Sequence, residues 1–135
     1  MVKANLKGLT LTELILAMAI LAFALCGLLN LYVNCILLNE TNRNLTLALC
    51  HAQYIMEEIR NSDFSGLEYD IINGRWDWNK DDILFNNLAF LRDESIDTNI
   101  FQSGIPLGVS VQVNWRDRSG RNRHRQLQTL VTNYR

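Results

Sequence analysis

Charge is absent from 26 consecutive positions of this chain, residues 14–39, which lie between Glu13 and Glu40. Within that stretch, residues 14–38 read LILAMAILAFALCGLLNLYVNCILL, apolar at nearly every position. A hydrocarbon core about 30 Å thick takes roughly twenty helical residues, and residues 14–33 supply that length without a charge. The pattern predicts a membrane-crossing helix. Asn30, Tyr32 and Asn34 fall near its far end, where amides and an interfacial aromatic cost least. Beyond Leu38 the apolar positions thin to a stripe. Leu45, Leu49, Ala52, Met56 and Ile59 recur at spacings of four, three, four and three, widened by Ala48 and Ile55, while Glu40, Arg43, Glu57 and Arg60 stay largely off it. That period is helical, so the helix is expected to run on to about Arg60 as an amphipathic stalk.

After Asn61 the period breaks. Asn73-Gly74, between Ile71-Ile72 and Arg75-Trp76, carries a type I′ hairpin signal. Residues 82–92, DILFNNLAFLR, predict a short helix bearing Leu84, Leu88 and Leu91, capped by Asp81 or Asp82. The clearest strand is 107–115, where Leu107, Val109, Val111, Val113 and Trp115 alternate with Gly108, Ser110, Gln112 and Asn114. Asp117-Arg118-Ser119-Gly120 supplies a turn, and 123–133 a second strand with Leu127, Thr129 and Val131 on one face. An antiparallel hairpin lying on the stalk follows. The expected fold class is α+β, a long N-terminal helix packed on a small antiparallel sheet. Its expected segments are 1–8, ahead of the helix; 9–38, the membrane half of the helix; 39–61, the stalk; and 62–135, an extracytoplasmic headgroup.

Composition adds little to this picture, but the placement of charge adds more. The chain has 135 residues, room for one small domain, and a net charge of −1. Residues 57–97 hold eleven acids against four bases, whereas residues 115–135 hold six arginines against one aspartate. Such a division suits an anionic partner, or neighbouring copies packed acidic face to basic face. Cys26 and Cys35 are nine residues apart, on opposite sides of one helix, and Cys50 stands beyond them. No disulfide framework can be read from that. Lys3 and Lys7 precede the apolar run and place the N-terminus in the cytoplasm by the positive-inside rule.

The run is entered through Lys7-Gly8-Leu9-Thr10-Leu11-Thr12-Glu13. Basic leader, glycine, large apolar residue and a glutamate at fixed spacing before a membrane helix together resemble the class III signal of type IV prepilins and type II secretion pseudopilins. The resemblance implies that a prepilin peptidase cuts between Gly8 and Leu9 and methylates the new N-terminus. Leu9 stands where the family usually has Phe. In that family the amine of one subunit pairs with the glutamate of its neighbour, and Leu9 and Glu13 occupy those positions here. A carboxylate at the membrane edge wants such a partner, since carrying it to the centre costs on the order of 2.5–3.5 kcal/mol. Many major pilins have a Pro at the twenty-second position after the cut; Asn30 occupies it here, which leans toward a minor subunit. Asn44–Arg60, ending Met56-Glu57-Glu58-Ile59, and the strand–turn–strand C-terminus also resemble V-type minor pilins and I-type pseudopilins.

The function this implies is structural: a minor pilin or pseudopilin that helps initiate or prime a type IV pilus or type II secretion filament. Its implied partners are the prepilin peptidase, other pilins or pseudopilins at a filament tip, an assembly platform protein and the membrane. Its implied place is a bacterial inner membrane, crossed once, with the C-terminus extracytoplasmic. The competing reading is a single-pass anchored binding protein that never polymerises. A third is a DNA-binding competence pilin, for which Arg116, Arg118, Arg121, Arg123 and Arg125 would supply the anionic-partner patch. Blunting of an edge strand, or docking on an acidic neighbour, is the favoured account of that patch, and nucleic acid the less favoured partner. Two histidines, scattered serines and no Gly-rich phosphate loop assemble no catalytic set, so no enzyme activity and no cofactor are expected. Asp77, Asp81 and Asp82 miss calcium-loop spacing and read as a solvated acidic loop, leaving no metal site. Trp76, Trp78 and Trp115 read as core anchors.

Overall fold

The computed structural model describes residues 10–86 and 88–132. One helix, α1 (Leu11–Asn61), carries the whole N-terminal pattern. It is followed by α2 (Phe64–Ile72), α3 (Lys80–Phe85), β1 (Ser95–Gln102), β2 (Leu107–Arg116) and β3 (Asn122–Val131). The protein is α+β, and the three strands form one antiparallel sheet in the order β1-β2-β3. The chain divides into two units, one ending at Glu40 and one beginning at Thr41, and α1 runs through both.

In the first unit every apolar side chain from Leu14 to Leu38 is exposed. This part of α1 is long and apolar enough to cross a membrane. Within a globular core such a face would be covered; among the described residues it is exposed along its whole length.

In the second unit the apolar stripe of α1 becomes the floor of a core. Ala48, Ala52, Ile55, Met56 and Ile59 are buried, joined by Leu67 and Ile71 from α2, Ile83 from α3, Ile96 from β1 and the inward row of β2. Ile55 and Ile59 leave water completely, each contributing about 1.5–3 kcal/mol. Leu49, expected on the stripe, is 37% exposed, and His51 takes a buried place instead. The alternation predicted for 107–115 is realised: Leu107, Val109, Val111, Val113 and Trp115 all face the core. Val131, Thr129 and Leu127 of β3 lie opposite Leu107, Val109 and Val111. They extend that face, and Arg60 Nη2 donates to Thr129 Oγ1 at 3.0 Å.

Gly108 is a required small residue. A Cβ there would sit 2.7 Å from the Phe101 ring, which covers the strand on its outer side. The free edge of β1 is also covered. Trp78 and Ile96 exchange backbone hydrogen bonds of 2.9 and 2.8 Å, and Thr98 donates its N–H and hydroxyl to Asp77 Oδ1. β3 forms the other edge.

Two local expectations are corrected. Asn73-Gly74 closes a helix and not a hairpin. Ile71 and Ile72 belong to α2, which Asp63 caps through Ser65 and which buries Leu67 and Ile71 one turn apart. Gly74, at φ +71°, lets its own N–H reach Ile71 O and the Arg75 N–H reach Asp70 O. Those are the two bonds of a Schellman ending, which needs the same positive φ as a type I′ turn. The helix expected over 82–92 is Lys80–Phe85, and its cap is Asn79 rather than Asp81 or Asp82. Asn79 Oδ1 accepts from the Asp81 and Asp82 N–H groups, while Asp82 Oδ2 accepts from the Asn79 N–H. This reciprocal box fixes the start two residues early. Ile83 then enters the core, Leu84 stays 44% exposed, and Leu91 is buried only after the helix has ended.

Candidate functional site

The processing residues Gly8 and Leu9 lie outside the described residues. The first described group of the candidate assembly site is Glu13, in the opening turn of α1. Its Oε2 accepts from the Thr10 N–H at 2.9 Å and contacts Thr10 Oγ1 at 2.9 Å. The Glu13 N–H in turn points to Thr10 Oγ1 at 3.3 Å. Thr10-x-x-Glu13 is therefore a capping box, which satisfies amides that have no partner inside the helix. Glu13 has a local task in the single chain, one that the T-x-x-E spacing before an apolar run could have announced.

The arginine cluster gathers at one end of the sheet, around the β2–β3 turn. Asp117 organises that turn. Its backbone pairs with Arg121 and Gly120, and its Oδ1 accepts from the Arg121 N–H at 2.9 Å and from Ser119 Oγ at 2.6 Å. Arg123 Nε reaches Asp117 Oδ2 at 3.2 Å, and Arg121 Nε lies 3.6 Å from the same oxygen. Arg116 lies 3.6 Å from Asp93. Arg116, Arg121 and Arg123 thus face carboxylates of their own chain. Arg118 is exposed in the turn, and Arg125 stands opposite Val113, two positions along β3 from Arg123. Beside them a depression of about 460 Å³ is lined by Asp93, Ser95, Asn114, Arg116, Arg123 and His124 among others.

The Ser119 hydroxyl first, then the Arg121 N–H and the Arg123 guanidinium, hold the Asp117 carboxyl down to about 2, against an ordinary 3.8. A carboxyl whose folded pKa is depressed stabilises the fold above its unfolded pKa and loses that contribution as pH falls toward the folded value. The turn is therefore expected to hold its geometry to about pH 2. An NMR titration of Asp117 should show an inflection there, and Asp117→Asn should flatten stability between pH 4 and pH 2. An inflection near 4 would mean that the turn contacts do not form in solution.

A third arrangement was not anticipated. His51 on α1 and Glu94, just before β1, are both buried, with Nδ1 2.5 Å from Oε1. The other carboxylate oxygen, Oε2, accepts the Leu91 N–H at 2.7 Å. His51 falls in helical phase with Ala48, Ala52, Ile55 and Ile59, the signal that would have placed it inside. The acidic-loop residues also have structural tasks: Asp77 holds Thr98 and Asp82 closes the α3 box. Among the described residues no three metal-ligating side chains come together. Trp76 and Trp115 are buried, and Trp78 is half-buried with its ring centroid 5.8 Å from that of Tyr54. Cys26, Cys35 and Cys50 are free and exposed.

No family model matches the chain, and neither a curated protein nor a solved structure matches it.

Proposed function

We propose that this chain is a minor pilin-like subunit, cut between Gly8 and Leu9, held in the membrane by the first part of α1, and built into a filament. The observation that carries the reading is α1 itself. Its first part is apolar and exposed over 14–38, and its last part carries the headgroup's sheet on a buried stripe. An anchor needs only about twenty residues to cross a membrane. A helix of 51 residues also supplies a stalk and an apolar flank for its neighbours. In an assembled filament the exposed flanks would cover one another once subunits leave the lipid. The single-pass binding protein remains the competing reading, and it asks nothing of Glu13 beyond its helix cap and needs no cut at Gly8.

Expressed in cells that assemble a type IV or type II filament, the chain is expected in the sheared filament fraction, at a small fraction of the major subunit. A folded, membrane-inserted chain that never enters that fraction would instead support the anchored binding protein.

A further inference from the structure

Asn30 and Asn34 stand one turn apart on an otherwise apolar stretch of α1, both exposed. Asn34 Nδ2 reaches Asn30 Oδ1 at 3.4 Å. That single long bond takes one of the two amide hydrogens of Asn34 and one lone pair of Asn30. That bond leaves both hydrogens of Asn30 and the carbonyl oxygen of Asn34 unused, on exposed side chains.

Depth makes this consequential. The apolar run Leu14–Leu38 is 25 residues, about 37 Å of helix against a core of about 30 Å. Taken whole and centred on Cys26, and not as the minimal span 14–33 whose far end would reach both amides, it puts Asn30 about 6 Å and Asn34 about 12 Å past the midplane, inside a half-thickness of about 15 Å. Moving the helix outward to free the amides would put Ile36, Leu37 and Leu38, 45–62% exposed, into water. In hydrocarbon, polar groups are satisfied by protein partners, and amide side chains hydrogen-bond between neighbouring helices. Gly27 lies on the same face, three residues before Asn30, and a Cβ built on it meets nothing within 4 Å. A second helix can approach closely there.

We propose that Asn30 and Asn34 form the contact through which two copies of this chain pair side by side in the membrane. The occupant is a second copy because amides are self-complementary, each offering donors and an acceptor. Two copies inserted in the same direction also carry those amides at the same depth. A two-fold axis along the membrane normal brings Asn34 against Asn34 and Asn30 against Asn30, an isologous contact. An unrelated helix would need its own polar group at a matched depth. The pairing rests on the reading of 14–38 as a membrane span and adds to it a dimer that precedes or seeds assembly.

The test uses the full chain with a donor or acceptor fluorescent protein at its C-terminus, reconstituted in phosphatidylcholine vesicles and first floated on a density gradient. Energy transfer is then followed against the protein-to-lipid ratio. The wild type is expected to float and to show transfer above that of random proximity. Asn30→Leu with Asn34→Leu is expected to shift the curve about tenfold toward higher protein, whereas Asn34→Gln keeps it near wild type. A floated wild type with only random transfer, or a double variant with the wild-type curve, overturns the proposal. A chain that does not float overturns the membrane reading as well, so the two failures are told apart.

Discussion

Glu94→Leu is expected to destabilise the headgroup by about 3 kcal/mol, near the lower end for breaking one side of a buried polar pair. For a unit of this size that lowers the thermal midpoint by roughly 15 °C. The reason is that one carboxylate satisfies two buried groups. Its Oε1 meets His51 Nδ1 on α1, and its Oε2 takes the Leu91 N–H. Leucine fills the space but leaves an imidazole nitrogen and an amide hydrogen without partners, and each such group costs about 1–3 kcal/mol. Glu94→Gln keeps an acceptor and adds a donor at the same place, and should lose less than half as much. The check is a melt of the detergent-solubilised chain, followed by fluorescence of the buried Trp76 and Trp115. A midpoint within 2 °C of wild type for Glu94→Leu would mean that the pair contributes little.

The second large effect concerns Glu13, which has two tasks that a substitution to alanine would confound. Glutamine at the third helical position still closes a capping box, so Glu13→Gln removes the charge and keeps the cap. Thr10→Val does the reverse, removing the hydroxyl and keeping the carboxylate. If a charge pair with a neighbour's amine sets subunit register, Glu13→Gln should insert and be cut normally yet enter filaments at least tenfold less. That corresponds to a loss of about 1.4 kcal/mol per subunit. Thr10→Val should enter normally, because one cap is worth about 1 kcal/mol in a helix the membrane already stabilises. Equal defects in both variants would reduce Glu13 to a helix cap. Quantitative blots of sheared filaments against the membrane fraction give the answer.

These two residues also mark what could be read from the sequence. α1 was legible almost to the residue, because an uncharged run and then a 3.6-residue stripe leave one solution. β2 was legible for the same reason at period two. β1 was not foreseen. Ile96, Thr98 and Ile100 do alternate with Asp97 and Asn99, but only Ile96 and Thr98 are buried, and much of the strand's edge is satisfied by Trp78 and Asp77, which arrive from a distant loop. Asn73-Gly74 misled because a left-handed glycine serves a Schellman ending and a hairpin turn equally well; burial of Leu67 and Ile71 decided between them. Leu49, expected inside, lies 37% exposed and His51 is buried, because the stripe alone does not say where the covering sheet is centred. At the candidate site, the gathering of arginines around the turn was legible from spacing. The engagement of Arg116 by Asp93 was not, since Asp93 is 23 residues from Arg116 in sequence.

The reading of this chain as a processed subunit rather than a plain anchor turns on its N-terminus. The most direct measurement is N-terminal sequencing and intact mass of the chain purified from membranes after co-expression with a prepilin peptidase. The account predicts a chain beginning at Leu9 and carrying one methyl group. An intact Met1, while the peptidase cuts a control prepilin in the same cells, would contradict it.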